Sequence, residues 1–410
     1  MIRLDLDPKF VGLTSPYQRT ELILNGTASN FEPQQLDVSR LRRLKKQGGL
    51  TAFYLPQFHR SVINDQNWGA GFTEWTNVTK AQPLFFGHVQ PRLPRDLGFY
   101  DLSISENVQE QISIAQRGGI SAFCFYYYRF GSETLLDLPL KKFVAIEQSD
   151  VDFCLCWANE SWTRSWDGGS KEVLIEQSHS FETDKGFIHE IIPYLSKPNY
   201  QVINGKKVIL LYRVQFFGES LSRTLDYWRE VARKEGVGEL AIFATSAFLP
   251  STQVEVDQLL THVDGLVQFP PHRAFHVQVK LSAELMFTDS FAGKFHIYDQ
   301  TVEHLRSLYY GSKVVIPTVF PSWDNTPRRR EQASIFLNCS PQKFEQEVLN
   351  ALALSASKPE NDGLVFINAW NEWAEGAILE PCRWFGYAYL NSCARAVNRL
   401  LARTGDAAVG

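Results

Sequence analysis

The stretch ISAFCFYYY, residues 120–128, is apolar or aromatic at almost every position. A strand with one face in solvent alternates apolar and polar residues, whereas a strand that is buried on both faces does not. This stretch therefore predicts a strand of a parallel sheet that is covered on both sides. The chain has seven further runs of this kind: TAFYLP (51–56), DFCLCWA (152–158), KVILLYR (207–213), ELAIFAT (239–245), DGLVQF (264–269), KVVIPTV (313–319) and GLVFINAW (363–370).

Amphipathic stretches separate these runs and predict helices. One begins at Ser105, which we expect to cap it, and another has Ser340 at the cap position and Pro341 at the first helical position. Eight strands, each followed by a helix, predict an α/β protein with a (β/α)8 TIM barrel and long βα loops. A doubly wound sheet is the alternative fold, but no glycine-rich phosphate loop follows any of the predicted strands.

The expected domain boundaries follow from the position of the runs. We expect an N-terminal extension or linker at residues 1–48, the catalytic barrel at 49–403 and a tail at 404–410. The extension contains the basic stretch SRLRRLKKQGG (39–49), which we interpret as a solvated helix face or a linker.

Composition excludes several classes of protein. With 44% hydrophobic and 21% charged residues, the chain has the values of an ordinary globular protein. Its 41 basic and 45 acidic residues give no reason to expect a nucleic-acid partner. The N-terminus MIRLDLDPKF lacks the apolar core of a signal peptide, and no run reaches the ~18 apolar residues of a membrane span. We therefore expect a cytoplasmic protein without a membrane span.

The six cysteines do not have the spacing of a metal site. We expect Cys154 and Cys156 to face opposite sides of their strand, so that they cannot chelate one ion together, and Cys124 lies in another apolar run. We interpret them as buried, reduced thiols, and we expect neither a metal nor a cofactor.

The active site of a (β/α)8 barrel is formed by the loops at the carboxyl ends of its strands. In this chain, those loops combine Trp and Tyr with carboxylates, amides and arginines, a pattern that is typical of sugar-binding surfaces; a purely structural role is the alternative. We expect the following residues to bind the substrate: His59, Trp68, Glu74, Trp75, Tyr126, Tyr128, Trp157, Asn159, Glu160, Trp162, Arg164, Trp166, Asp167, Tyr212, Arg213, His272, Trp323, Asp324, Asn325, Trp370, Asn371 and Trp373.

The segment Glu372-Trp373-Ala374-Glu375-Gly376, directly after the last predicted strand, carries the candidate catalytic groups. Side chains three residues apart meet on one side of a helical turn, with about 5–6 Å between their Cβ atoms. This separation is close to the ~5–5.5 Å between the carboxyl groups of retaining glycosidases. Mutual repulsion would raise one pKa, so that one group keeps a proton while the other is ionised. The Glu-x-x-Glu pattern also occurs on exposed helices, but here it follows a buried strand.

Six stretches of the chain, between about residues 50 and 390, resemble the WbsX group, which is found in bacterial O-antigen and other surface-polysaccharide loci and is related to the endo-α-mannosidases of glycoside hydrolase family 99. These stretches are FYLPQFH (53–59), WGAGFTEWTNV (68–78), GHVQPRLPRDLGFYDL (87–102), CLCWANESWTRSWDG (154–168), FPSWDNTPRR (320–329) and INAWNEWAEGAILEP (367–381).

The resemblance implies roles for the two glutamates. Glu372 would be the base that helps a sugar 2-hydroxyl attack its own anomeric carbon, and Glu375 would be the acid/base at the leaving oxygen. The intermediate would be a 1,2-anhydro sugar, formed from a manno- or rhamno-configured substrate with net retention. The chain departs from the family pattern at Pro381-Cys382, where Pro-Asp is expected, and at Tyr127 and Arg129, where His and Trp are expected. These differences affect the expected identity of the sugar.

The expected partners are an oligosaccharide or polysaccharide substrate and other proteins of surface-polysaccharide assembly. Three alternatives to a glycoside hydrolase or transglycosylase remain. The first is a glycosyltransferase of lipopolysaccharide or capsule synthesis, which should carry a diphosphate site. The second is a metal-dependent hydrolase that uses His59, His272 and Asp324. The third is a non-catalytic carbohydrate-binding barrel, which would not require Glu372 and Glu375.

Overall fold

The computed structural model describes residues 31–406, apart from positions 35, 47, 147–148, 164–171, 251, 276–277, 282–285, 288–289 and 309–313. The strands are β1 (Gly49–Tyr54), β2 (Ala122–Phe130), β3 (Glu133–Leu135), β4 (Asp152–Trp157), β5 (Trp162–Thr163), β6 (Val173–Ile175), β7 (Val202–Ile203), β8 (Lys206–Leu211), β9 (Leu240–Thr245), β10 (Gly265–Val267), β11 (Lys294–Ile297), β12 (Val314–Ile316), β13 (Thr318–Val319), β14 (Ser334–Leu337), β15 (Leu364–Ile367), β16 (Asn371–Glu372) and β17 (Ala377–Ile378).

The α-helices are α1 (Val38–Lys45), α2 (Val62–Trp68), α3 (Glu74–Lys80), α4 (Ser105–Arg117), α5 (Leu138–Ala145), α6 (Phe181–Asp184), α7 (Gly186–Leu195), α8 (Leu221–Lys234), α9 (Gln253–Leu260), α10 (Tyr298–Ser307), α11 (Thr326–Arg329), α12 (Pro341–Ala356) and α13 (Ala388–Asp406). Short 3-10 helices span Val214–Ser220, Arg330–Gln332, Pro359–Asn361 and Trp373–Glu375.

Nine parallel strands form a barrel in the order β12-β10-β9-β8-β4-β2-β1-β15-β13. The first and last strands of this path, β12 and β13, are separated only by Pro317, because they are the two halves of one predicted run. The sheet therefore closes through Pro317. The eight predicted runs supply the eight strands of the barrel, which we call staves and number in chain order, so that β12 and β13 together are the seventh stave. The predicted (β/α)8 fold is confirmed.

The strands are buried on both faces, as their continuous apolar character predicts. In β1, Phe53 faces Tyr126 of β2 and Phe269 inside the barrel, with ring centroids 5.7 and 5.0 Å apart. On the outer face, Tyr127 of β2 and Trp157 of β4 both contact Phe187 of α7. The interior is thus filled with side chains, and the space for a ligand lies at the carboxyl ends of the strands.

Two helix starts test the predicted caps. Ser340 caps α12, because its hydroxyl accepts a hydrogen bond from the backbone N–H of Lys343 (3.3 Å) and Pro341 is the first helical residue. The expectation for Ser105 is wrong by one residue: Ser105 is already helical, and Ile104 occupies the cap position without a side-chain hydrogen bond.

The basic stretch before the barrel is a helix, α1, and it belongs to the fold. Leu41 and Leu44 are completely buried in the main hydrophobic core, whereas Arg42 and Arg43 between them are exposed. The described part of the N-terminal extension therefore packs against the barrel, and the interpretation as a linker needs correction for residues 38–45.

The cysteines are free thiols, and five of the six are buried. The expectation that Cys154 and Cys156 face opposite sides of β4 is wrong, because residues two apart on a strand point to the same face. Both lie near Cys124 of β2, whose pKa is raised by burial and by contacts with the two thiols. Among the described residues, no group of three or more His, Cys, Asp or Glu side chains could hold a metal ion.

Candidate active site

Glu372 and Glu375 lie on a tight hairpin at the carboxyl end of the last barrel strand. Glu372 ends β16, the segment Trp373–Glu375 forms a single 3-10 turn, and Gly376 reverses the chain with a φ of 65° before β17. The predicted helical turn is therefore present in its shortest form. It directs both carboxyl groups to the guanidinium of Arg328.

Arg328 lies in α11, after the seventh stave, and contacts three carboxylates. Its Nη1 donates to Glu375 Oε1 (2.6 Å), its Nη2 to Glu372 Oε2 (3.2 Å) and its Nε to Glu74 Oε1 (3.2 Å). The side chain of Arg328 is 5% exposed, and that of Glu74 is completely buried. Glu375 is the most exposed of the three carboxylates, at 22%, so the Glu375 side of the cluster is the one that solvent reaches.

The electrostatics of this cluster favour a retained proton. Burial and the neighbouring carboxylate of Glu375 raise the pKa of Glu372 to about 8, against the opposite effect of Arg328. Burial also raises the pKa of Glu375, and Glu74 acts in the same direction. Burial alone would lower the pKa of the Arg328 guanidinium, but the three carboxylates raise it above its usual value.

The family resemblance gives the acid role to Glu375, whereas burial raises the pKa of both carboxyl groups in the free protein, that of Glu372 to about 8. Two carboxyl groups that share one guanidinium titrate together, so the proton belongs to the pair and not to one residue. The pair can therefore supply one acid and one base at neutral pH.

Behind the hairpin lies a further carboxylate, Glu380, which is buried. It accepts hydrogen bonds from Trp373 Nε1 (2.6 Å), Tyr100 Oη (2.8 Å) and Gln111 Nε2 (2.6 Å). Burial raises the pKa of Glu380 to about 7 despite these donors. The network fixes the indole of Trp373, the residue that follows Glu372, and so helps to hold the hairpin in place.

A second network supports the other end of the turn. The backbone N–H of Asp324 donates to the carbonyl oxygen of Glu375 (2.7 Å). The carboxylate of Asp324 accepts from His88 Nε2 (2.8 Å), Gln90 Nε2 (2.6 Å) and both the N–H and the hydroxyl of Thr326. Because both of its oxygens accept internal hydrogen bonds and it is 1% exposed, the structure places Asp324 as a support of the hairpin and not on an open surface, where a substrate contact was predicted.

The walls of the pocket come from the strands across the barrel. Tyr126 and Tyr128 at the end of β2 face the pair, since Glu372 contributes with burial to the raised pKa of both phenols. After β8, burial, Glu160 and Glu375 raise the pKa of Tyr212. These tyrosines are neutral phenols near the two carboxyl groups, and their role in substrate binding stays a prediction.

Arg213 extends the wall beyond Tyr212. Its Nε donates to Glu160 Oε2 (2.7 Å), and its guanidinium lies 3.5 Å from the ring centre of Phe248. The side chain of the fully buried Asn159 exchanges two hydrogen bonds with the backbone of Arg213, 2.8 and 3.0 Å long. His272, a neutral imidazole whose pKa burial lowers to about 4, packs against Phe248. Asn159 therefore positions Arg213 and is not itself available to a ligand.

A half-buried aromatic surface lies at the first three staves. Trp162 contacts Trp68 and Tyr128 edge-on, with centroid distances of 6.4 and 5.3 Å. Both tryptophans are partly exposed, as a surface that stacks against sugar rings requires. Arg164, Trp166 and Asp167, which were expected beside them, lie outside the described residues.

Several predicted substrate contacts are instead structural. Trp157 is completely buried and stacks on Phe187 of the helix layer, and Asn371 clamps the backbone of Leu55 through two hydrogen bonds. The following residues are also buried or bonded internally and do not line an open surface: His59, Trp75, Trp323, Asn325, Trp370 and Trp373.

The sequence did not identify the central role of Arg328 or the support of Glu380. Arg328 follows Pro327 in the loop after the seventh predicted stave, so its position at a strand end was the available signal. For Tyr100 and Gln111 there was no signal, because they reach Glu380 from a loop and a helix 280 and 269 residues away in the chain.

Among the described residues, no helix is long and apolar enough to span a membrane.

The barrel and the site can be compared with known proteins. A solved structure of the GH99 endo-α-mannosidase from Bacteroides thetaiotaomicron superimposes with a TM-score of 0.50 at 15% identity, over 87% of this chain and 98% of that one. A glycoside hydrolase-like protein matches with a TM-score of 0.51 at 13% identity, over 90% and 98% of the two chains. At these identities the likeness concerns the fold.

Relatives in sequence are closer. The uncharacterized protein WxcX of Xanthomonas campestris pv. campestris (strain B100) is 39% identical over 351 residues, which are 85% of this chain and 50% of the relative. The same protein of a second strain, ATCC 33913, matches equally. The chain thus spans about half the length of the curated relatives that it matches.

A family model described as Glycosyltransferase WbsX matches residues 50–393, a range that includes Arg328 and all three carboxylates bound to it. The resemblance inferred from the six sequence stretches is thereby confirmed, and the chain belongs to the WbsX family.

Proposed function

We propose that this chain is a retaining glycoside hydrolase or transglycosylase that acts on a bacterial surface polysaccharide through Glu372 and Glu375. The observation that carries the proposal is the shared contact of both carboxyl groups with the buried Arg328. One guanidinium between two carboxyl groups keeps them at a fixed distance and allows one to be protonated while the other is ionised.

The proposed reaction begins with Glu372 as base. Glu372 removes the proton of the sugar 2-hydroxyl while O2 attacks the anomeric carbon. The bond from the anomeric carbon to the glycosidic oxygen breaks, and Glu375 gives its proton to the leaving oxygen. A 1,2-anhydro sugar remains in the pocket. The substrate must have its 2-hydroxyl trans to the leaving group, as in α-manno or α-rhamno sugars.

The second step reverses the roles of the two groups. Glu375 takes a proton from the incoming water, whose oxygen attacks the anomeric carbon and opens the three-membered ring. Glu372 returns its proton to O2. Two inversions at one carbon give net retention. If a sugar hydroxyl enters in place of water, the product is a transferred chain. In both steps one proton leaves a carboxyl group beside Arg328 as another arrives, so the charge of the cluster does not change.

The experiment uses purified protein with manno- and rhamno-configured oligosaccharides and O-antigen polysaccharides, and reads product masses with and without nucleotide-sugars. Shorter chains without nucleotide-sugar, with retained anomeric configuration, would support the proposal. Glu372→Gln and Glu375→Gln should abolish them, whereas Glu110→Gln on the exposed face of α4 should not. Unchanged turnover in both active-site variants would refute the assignment of the pair.

The glycosyltransferase remains a second candidate, because the matching family model carries that description. Products longer by one sugar, formed only with nucleotide-sugar, would favour it. Binding of oligosaccharide without any change in mass would favour a non-catalytic carbohydrate-binding barrel.

A further inference from the structure

The cluster around Arg328 contains more acidic groups than one cation can balance. Glu74, Glu372 and Glu375 all contact the same guanidinium, and Glu74 and Glu372 are almost completely buried. If all three were ionised, the four side chains would carry a net charge of −2. An uncompensated buried charge is costly, and a carboxyl group in such a position takes up a proton instead.

Glu74 differs from the other two carboxylates in its position. It is the first residue of α3, after the first stave, and its side chain has no exposed surface. Its Oε1 accepts from Arg328 Nε (3.2 Å) and from Asn77 Nδ2 (3.3 Å). Its Oε2 is buried and has no hydrogen-bond partner among the residues that the structure describes. Among the described residues, Arg328 thus links Glu74 to the pair.

The guanidinium of Arg328 contacts Glu74 and the pair through different nitrogens. Its Nε donates to Glu74, and each of its two terminal nitrogens donates to one member of the pair. Other described groups also act on the pair. Arg329 lowers the pKa of Glu375, and the nearby phenols of Tyr126, Tyr128 and Tyr212 all have raised pKa values and stay neutral.

We propose that Glu74 is a positioning residue that obliges the Glu372–Glu375 pair to keep one proton, because Glu74 takes up part of the positive charge that would otherwise stabilise both carboxylates. The retained proton is the one that the proposed function needs for the leaving group. Only this use of the proton rests on the proposed function; its presence on the pair does not.

The direct test observes the protonated carboxyl group without any substrate. Infrared difference spectra of the wild type against Glu372→Gln and Glu375→Gln identify the C=O stretch of the pair, which is then followed from acid to alkaline pH. The wild type should show one protonated carboxyl group of the pair at neutral pH. In Glu74→Gln the negative charge is gone, so the same band should disappear at a pH lower by about one unit or more.

Glu74→Asp and Glu110→Gln are the companion variants. Aspartate keeps the charge and should restore most of the wild-type titration, whereas Glu110→Gln, on an exposed helix face, should leave it unchanged. The absence of a protonated carboxyl group from the wild-type pair at neutral pH would overturn the proposal, even if no Glu74 variant folds. A folded Glu74→Gln protein with an unshifted band, or a band shifted to higher pH, would also overturn it.

A kinetic arm separates this proposal from the proposed function. If the chain hydrolyses oligosaccharides, the alkaline limb of the pH profile of kcat should move to lower pH in Glu74→Gln and return in Glu74→Asp. Loss of a purely structural contact would lower kcat at every pH without moving the limb. If the infrared shift is found but no substrate is cleaved, the proton-retaining role of Glu74 stands and the glycosidase assignment fails.

Discussion

The indole of Trp373 donates a hydrogen bond of 2.6 Å to the buried carboxylate of Glu380, seven residues further along the chain. Trp373 follows Glu372 directly and begins the 3-10 turn that ends at Glu375, and it is 1% exposed. A tryptophan in this position could stack on a sugar, but here its ring faces Trp75, with 5.5 Å between the ring centres, and its N–H faces the interior. The bond therefore fixes the hairpin that carries the pair.

We expect Glu380→Gln to destabilise the protein by about 1–3 kcal/mol. The carboxylate accepts three side-chain hydrogen bonds, two of them at Oε2, whereas an amide has one acceptor and must turn its own donors toward Trp373 or Gln111. Urea unfolding measures the change in the free energy of unfolding.

Trp373→Phe provides the matching variant, because it removes the donor and keeps a ring. A double-mutant cycle with Glu380→Gln should give a coupling energy of about 0.5–2 kcal/mol. Strictly additive effects of the two changes would mean that the hydrogen bond does not hold the hairpin.

The sequence predicted the barrel and the place of the glutamates because both depend on local patterns. Continuous apolar runs identified the staves, and the position of Glu372 and Glu375 directly after the last run placed them at the carboxyl end of the barrel strands. The break of the seventh stave at Pro317 was not predicted, since KVVIPTV was interpreted as one continuous strand. The proline inside it was the signal for the break.

The partners of the pair could not be predicted in the same way. Arg328 meets carboxylates from positions 74, 372 and 375, which come together only when three staves close side by side. Trp157, in contrast, was predicted to bind sugar but is structural. The preceding residue, Cys156, lies on the same face of the sheet as Cys124, so Trp157 points to the opposite face, toward the helices. A count of faces along β4 would have removed it from the expected sugar-binding residues.

Arg328→Lys should destabilise the protein strongly although it keeps the charge. An ammonium group is a single point charge on a flexible stem and cannot serve three carboxylates from one planar fork. At least one buried carboxyl group would lose its partner, and we expect a loss of about 3–5 kcal/mol. Chemical denaturation measures it, with Arg329→Lys as the control at the exposed neighbouring position. Equal stability of the two variants would contradict a special role for Arg328.

Gly376→Ala should disturb the pair through Asp324. Gly376 has a φ of +65°, and an added Cβ would lie 3.0–3.1 Å from the backbone N, the O and the Cβ of Asp324. Because Asp324 donates to the carbonyl of Glu375 (2.7 Å), its displacement moves the carboxyl group as well. We expect turnover to fall about 10- to 100-fold, since small misplacements of reacting groups have effects of this size.

Gly131→Ala is the matched control for this change. Gly131 has a similar φ of +59°, but nothing lies within 4 Å of its added Cβ. It should show only the backbone strain, about 1 kcal/mol in the free energy of unfolding, with turnover unchanged. If both variants lose the same stability and neither loses activity, the contact with Asp324 does not position Glu375.

Glu372→Gln should gain stability relative to the wild type as the pH rises. Burial and the charge of Glu375 raise the pKa of Glu372 from the ordinary 4.5 to about 8, so the folded state holds a proton that the unfolded chain releases. The free energy of unfolding of the wild type therefore falls as the pH rises between these two values. Glutamine does not ionise, and it also relieves Glu375 of a neighbouring charge, so the variant lacks most of this decline.

Urea unfolding at pH 5 and pH 9 measures this effect. The free energy of unfolding of Glu372→Gln, relative to that of the wild type, should rise by ~3 kcal/mol from pH 5 to pH 9. Glu110→Gln, at an exposed position, should show no such movement. Parallel pH dependence of the wild type and Glu372→Gln would mean that Glu372 is ionised in the folded protein at neutral pH, and the proton of the pair would then have to reside on Glu375.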